Sequence, residues 1–282
     1  MNTKPLLTCC FSALLLLSSS AICHASASIP ERLDIIGKQI QKHPDDAELY
    51  IQRGRVYRDA EQWDMALQNY AKAHEIAPDM YQVLFWQGDA WLNQGHYQQA
   101  QDAFQQYLSH KPNDSSVHIE LARVFIHLGR YHEAAEHYDY VITNGANPVP
   151  QIYLDRARCL MKIKPQPVAE IQSGLQQGLN RYPNNVTILD EMIAFSLSIN
   201  AYTDAITQLD LLPDQLQQQP KWLIKRADIE KLRGNRERAI TLYQQALANL
   251  DSLPEKRQKA PAYRAARENA EQGLTALSLD NH

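Results

Sequence analysis

Apolar and polar residues recur along this chain at helical spacing, and the pattern repeats. Five ten-residue stretches share one code: EQWDMALQNY from Glu61, GHYQQAQDAF from Gly95, GRYHEAAEHY from Gly129, NAYTDAITQL from Asn200 and GNRERAITLY from Gly234. The first three starts are 34 residues apart, and so are the last two. The sixth residue is always Ala: Ala66, Ala100, Ala134, Ala205 and Ala239. The tenth is large and apolar or aromatic: Tyr70, Phe104, Tyr138, Leu209 and Tyr243. The third is aromatic in four, with Arg236 the exception. Shared positions are packing positions, and the variable ones between them face outward.

Extending each stretch upstream completes a longer unit. Residues 47–78 place Tyr50, Gly54 and Tyr57 ahead of Ala66, Tyr70, Ala73 and Pro78. The next unit has Leu84, Gly88 and Trp91, then Ala100, Phe104, Tyr107 and Pro112. A small residue on the first helix lets the second approach, aromatics fill the remaining space, and the proline ends the second helix. Gly95, Gly129 and Gly234 sit in the turn between the helices, where a positive φ costs glycine little. In these positions the chain resembles the tetratricopeptide repeat family, whose unit is a 34-residue helix–turn–helix. The resemblance implies an all-α, right-handed superhelical solenoid of about six units, near 47–80, 81–114, 115–149, 150–185, 186–219 and 220–253. The fourth and fifth are degenerate, with KPQPV at 164–168 and QLQQQP at 215–220 in place of tight connections. Residues 28–46 read as an N-terminal capping helix, with Leu33, Ile36 and Ile40 on one face, and 254–282 as a C-terminal one. A solenoid needs such caps to cover its terminal apolar faces.

Residues 1–27 stand apart. An apolar run around Leu6–Leu17 is followed by small residues and Ala25-Ser26-Ala27, which fits a secretory signal cut after Ala27. The expectation is a periplasmic protein of a bacterial envelope with no transmembrane span in the mature chain. Lipid attachment through Cys23 is the weaker alternative, because Ile22 stands where a lipobox wants a small residue. Of 4 cysteines only Cys159 would survive, as a small packed core residue rather than a nucleophile. The whole chain carries a net charge of −4, with no basic cluster to suggest nucleic acid.

Candidate chemistry begins with His132, Glu133, Glu136 and His137. The residue four after His132 is Glu136, so the two-histidine spacing of a zinc helix fails, and no metal or cofactor is expected. Phosphate loops, dinucleotide fingerprints and nucleophile elbows are absent from the sequence too. The expectation is therefore a non-catalytic scaffold. By resemblance to the family, the second, fifth, ninth, twelfth and thirteenth residues of each unit line a concave groove. These positions give an apolar row of Ile51, Phe85, Ile119 and Leu154 and a charged row of Arg55, Asp89, Arg123 and Arg158. Together they suit a protein or peptide with alternating apolar and acidic residues, since the guanidinium fork binds carboxylates bidentately. Phe85 and Ile119 are the candidate anchors. Asp89 offers a bland alternative, neutralising the arginines on either side. Arg53, Arg156 and Arg226, at the seventh position, read as structural. The second functional reading is an accessory protein of exopolysaccharide assembly or export, contacting an anionic glycan through exposed aromatics such as Trp86.

Overall fold

The computed structural model describes residues 28–279, and the signal-peptide expectation over 1–27, Cys23 included, lies outside them. Helices account for every regular element among the described residues. They form two compact units, one ending at Arg130 and the other beginning at Tyr131.

The first unit opens with α1 (Ile29–Lys42), begun by a capping box between Ser28 and Glu31. Two helical hairpins follow: α2 (Ala47–Asp59) with α3 (Trp63–Ile76), and α4 (Gln82–Asn93) with α5 (Tyr97–His110). The unit closes with α6 (Ser115–His127), the first helix of the third repeat. Ile36 and Ile40 of α1 pack on Leu49 and Val56 of α2. Tight approach depends on glycine in both hairpins. A Cβ at Gly54 would stand 2.4 Å from Cε1 of Tyr70, and one at Gly88 would stand 2.6 Å from Cε1 of Phe104. Both rings are fully buried.

The second unit runs α7 (Tyr131–Asn144), α8 (Pro150–Lys162), α9 (Val168–Arg181), α10 (Val186–Ser198), α11 (Tyr202–Asp210), α12 (Asp214–Gln217), α13 (Pro220–Leu232), α14 (Arg236–Asp251), α15 (Glu255–Gln258) and α16 (Pro261–Leu279). Its small residues act in the same way, with Gly178 under Tyr153 and Gly273 of α16 under Tyr243. The connection that contains QLQQQP at 215–220 includes the single turn α12. Gln217 holds it by donating its side-chain amide to Leu212 O at 2.8 Å. The same device recurs at α15, where Gln258 donates to Leu253 O at 2.7 Å. Arg226 reaches Asp210 across the first connection and Arg267 reaches Asp251 across the second. A repeated Leu-Pro, Gln and Pro framework underlies both connections, and it is visible in the sequence once the structure aligns it.

All five repeat starts adopt the left-handed conformation: Glu61 at φ 55°, Gly95 at 79°, Gly129 at 72°, Asn200 at 59° and Gly234 at 80°. The residue after each donates its amide to the carbonyl five positions earlier, as in Gln62 to Tyr57 at 2.8 Å and His96 to Trp91 at 2.9 Å. This bond closes the end of the first helix and sets the hairpin angle. Several first helices are begun by a side chain: Asp46 accepts from Glu48 N, Asp114 from Ser116 N, and Asn185 from Thr187 N and Ile188 N.

Candidate functional site

In the first unit, α2 packs beside α4 and α4 beside α6. Equal positions on these three helices form rows, and the ninth position supplies Arg55, Asp89 and Arg123. Arg123 is exposed but already engaged, its guanidinium 2.6 Å from Glu120. Asp89 accepts from the Asn93 side chain at 3.1 Å and lies 3.9 Å from the Arg58 guanidinium. Burial lifts the Asp89 carboxyl above the usual range, with Arg58 and then Arg123 pulling the other way. Glu120 is raised for the same reason, opposed by Arg123 and reinforced by Asp89. Asp89 thus does temper this row, but its closest arginine is Arg58, at the twelfth position.

Arg55 differs. It is exposed and pairs with no carboxylate among the described residues. Its guanidinium carbon lies 5.0 Å from the centroid of the Trp86 ring, and that of Arg58 lies at the same distance. Arg55 also lines a cavity of about 490 Å³ between α1 and α2, floored by Ile35, Ile36 and Val56 and edged by Arg32 and Asp59. Asp59 is 2.9 Å from Arg58 and 3.5 Å from Arg32.

The apolar row behaves less simply than the sequence implies. Ile51 is buried in the core. Phe85 is half-buried, with its ring centroid 5.0 Å from Trp86, 6.0 Å from Phe104 and 6.1 Å from Tyr107. It offers one face of an aromatic cluster rather than a free side chain. Ile119 is half-buried on α6.

In the second unit, Leu154 is 1 % exposed and so cannot present a surface to a partner. That corrects its expected place in the apolar row. Its neighbours on α8, Tyr153 and Ala157, are buried with it. Arg158 is exposed and bridges Glu191 at 2.7 Å and Asp155 at 3.4 Å. Arg156 is 8 % exposed and joins Asp139 at 2.5 Å to Glu170 at 2.7 Å. Arg226 reaches Asp210 in the same unit, and in the first unit Arg53 donates to Asn69 at 2.6 Å, so the seventh-position arginines tie helices together. Cys159 is buried, and burial first, then Asp155, pushes its thiol up to about 11, which leaves little thiolate for nucleophilic chemistry. A second cavity, of about 400 Å³, has a floor of Leu175, Met192 and Phe195, and no charged side chain lines it.

His132 and Glu136 do pair, at 3.3 Å, on an exposed face. Among the described residues no group of three or more His, Cys, Asp and Glu is placed to hold a metal ion, and no helix is long and apolar enough to cross a membrane.

The tetratricopeptide repeat family model matches residues 51–98 and 87–149. No curated protein matches this sequence. Among solved structures, the C-terminal part of a TPR repeat-containing protein from Cytophaga hutchinsonii superposes with a TM-score of 0.67 at 13% identity, covering 87% of this chain and 94% of that one. YrrB, described as a TPR protein with an unusual peptide-binding site, superposes at 0.52 with 17% identity, covering 74% and 97%. MamA superposes at 0.53 with 15% identity, covering 59% and 90%. These likenesses concern the fold.

Proposed function

From the match of residues 51–149 to the tetratricopeptide repeat family model, we propose that the chain is a non-catalytic scaffold of that family binding a protein or peptide. The binding surface is the face of α2, α4 and α6 in the first unit, and the work is done in a bacterial envelope after export directed by residues 1–27. One observation carries the choice of face: Arg55 is exposed, has no carboxylate of its own, and stands between an apolar-floored cavity and the Trp86 ring. A partner carboxylate there gains a charge-assisted contact without breaking an existing ion pair. At Arg123 and Arg158 it would have to displace Glu120 or Glu191. The mechanism is recognition by a preformed surface, so little ordering entropy is lost on the scaffold's side. The glycan reading gains no such support, because the ring that would stack on a sugar, Trp86, is already flanked by Arg55 and Arg58.

The test is a photo-crosslinking amino acid placed at Gln52 or Asn93 on the proposed face and at Gln99 on α5. Crosslinking in intact cells, followed by fractionation, should give one protein adduct in the envelope fraction from Gln52 or Asn93 and none from Gln99. Equal adducts from all three positions, or adducts only in the cytoplasmic fraction, would overturn the reading.

A further inference from the structure

Tyr70 rises from α3 across Gly54 of α2. Its side chain is 0 % exposed, and its hydroxyl has no hydrogen-bond partner among the described residues. Folded proteins seldom leave such a group unsatisfied, because its desolvation is not recovered. The sixth repeat contains the satisfied version of the same arrangement. There Tyr243 donates its hydroxyl to Asp228, which occupies the ninth position of that repeat's first helix. In the first repeat the ninth position is Arg55, and a guanidinium can only donate. The Tyr70 hydroxyl therefore keeps an unused hydrogen. The Tyr70 ring crosses α2 at Gly54, next to Arg55, as the Tyr243 hydroxyl reaches the ninth position in the sixth repeat, and after burial the charges that bear on its ionisation are Arg58, Asp89, Arg55 and Asp59.

The surrounding charge is uneven. Arg32, Arg55 and Arg58 are met by two carboxylates, Asp59 and Asp89, and Arg55 is the guanidinium left over. Among the described residues it meets the Trp86 ring, and a cation–π contact at an exposed site is weak enough to yield to an ion pair. Beside it lies the cavity floored by Ile35, Ile36 and Val56.

We infer that Arg55, Arg58 and the Tyr70 hydroxyl form a subsite for one Asp or Glu side chain of the partner, and that the adjoining cavity takes the apolar residue next to it. The inference rests on the scaffold reading and gives its partner a chemistry: an acidic residue flanked by an aliphatic one. Drawing Arg55 off Trp86 toward the incoming carboxylate opens the way to the hydroxyl, which then donates. Arg55 supplies the charge, and Tyr70 supplies a short-range check that a real acceptor has arrived. Asp89 opposes the ligand and limits affinity, so the subsite favours a partner whose apolar residue also covers Ile35, Ile36 and Val56 on the floor of the cavity, inside its polar wall of Arg32, Gln39, Gln52 and Asp59.

The experiment uses the full chain and a random dodecapeptide library displayed on phage, followed by fluorescence anisotropy of the enriched peptides. The expected peptides carry Asp or Glu beside Leu, Ile or Val. Tyr70→Phe should weaken them about tenfold, the factor for one hydrogen bond to a charged group. Its melting temperature should stay level or rise, because an unsatisfied buried hydroxyl is removed. Arg55→Gln should weaken binding at least as much, and changing the peptide's Glu to Leu, which has no acceptor, should erase the difference between wild type and Tyr70→Phe. A purely structural tyrosine would instead lower the melting temperature and leave affinity unchanged. Enriched peptides that lack an acid, or that bind Tyr70→Phe as tightly as wild type, overturn the subsite while the scaffold stands. A library that yields no binder overturns both.

Discussion

Two glycines in the first unit should respond to the same substitution with opposite signs. Gly88 lies in α4 beneath Phe104, whose ring is fully buried. A Cβ at 88 would stand 2.6 Å from Cε1, 2.7 Å from Cδ1 and 2.8 Å from Cζ of that ring. Carbon atoms prefer about 3.5–4.0 Å, so the ring must retreat by about 1 Å in a close-packed core. Three simultaneous overlaps put the penalty near the top of the overpacking range, about 3 kcal/mol. The helix itself gains about 1 kcal/mol when glycine becomes alanine, which leaves a net loss of about 2 kcal/mol for Gly88→Ala. Gly37 lies within α1 with nothing within 4 Å of an added Cβ. There the helix term acts alone, and Gly37→Ala should stabilise by about 1 kcal/mol. Urea unfolding followed at 222 nm reads both values. Phe104→Leu introduced beside Gly88→Ala should recover part of the loss, giving a coupling of about 1 kcal/mol. If Gly88→Ala matches or exceeds wild type, the close approach of the helices is not what the glycine is for, and the packing argument fails for the repeat as a whole.

Other substitutions probe separate parts of the account. Glu61 holds φ 55° where the equivalent turns use Gly or Asn, so Glu61→Gly should add about 1 kcal/mol in the same urea titration. Arg156→Ala removes a buried guanidinium bound to Asp139 and Glu170 and should cost about 2 kcal/mol. Burial raises the folded-state pKa of Asp89, so the fold loses stability as pH climbs through and above the usual carboxylate range. Asp89→Asn should therefore be the more stable protein at pH 7 and lose that lead near pH 3 in parallel thermal melts. Asp190 has the opposite sign. Burial acts against it, but Lys225 and Lys221 hold it below the usual range, so its contribution is present above about pH 4 and fades as pH falls further. Asp190→Asn should lower the melting temperature at pH 7 and change it little at pH 2.

The repeat was readable because its packing residues recur in type and spacing, and the helices fall where Ala, aromatic and Pro positions put them. Less readable was anything decided by a neighbour distant in sequence. Arg158 and Glu191 meet across 33 residues, and no local pattern announces them. Leu154 and Phe85 hold the same repeat position, yet one is sealed in the core and the other half-buried, because the helices around them differ. The Tyr70 subsite leaves a faint signal in the sequence. Comparing ninth positions across repeats pairs Tyr243 with Asp228 but Tyr70 with Arg55, and that mismatch of acceptor for donor is visible in sequence alone. A cap signal not drawn from the sequence was present at Asp46, Asp114 and Asn185, each just before a first helix and two residues behind a proline. Glu61 carries no such signal, since a left-handed glutamate shows only through the register of its turn.

The central claim is that the face of α2, α4 and α6 binds the partner, and charge-matched variants test it most directly. Arg55→Gln removes one positive charge from that face, and Lys72→Gln removes one from α3, where Lys72 pairs with Glu75. Dissociation constants for an enriched acidic peptide, measured at one salt concentration, should rise tenfold or more for Arg55→Gln and stay at the wild-type value for Lys72→Gln. Equal shifts for the two variants would reduce the interaction to overall charge, and no shift for Arg55→Gln would place the binding surface elsewhere.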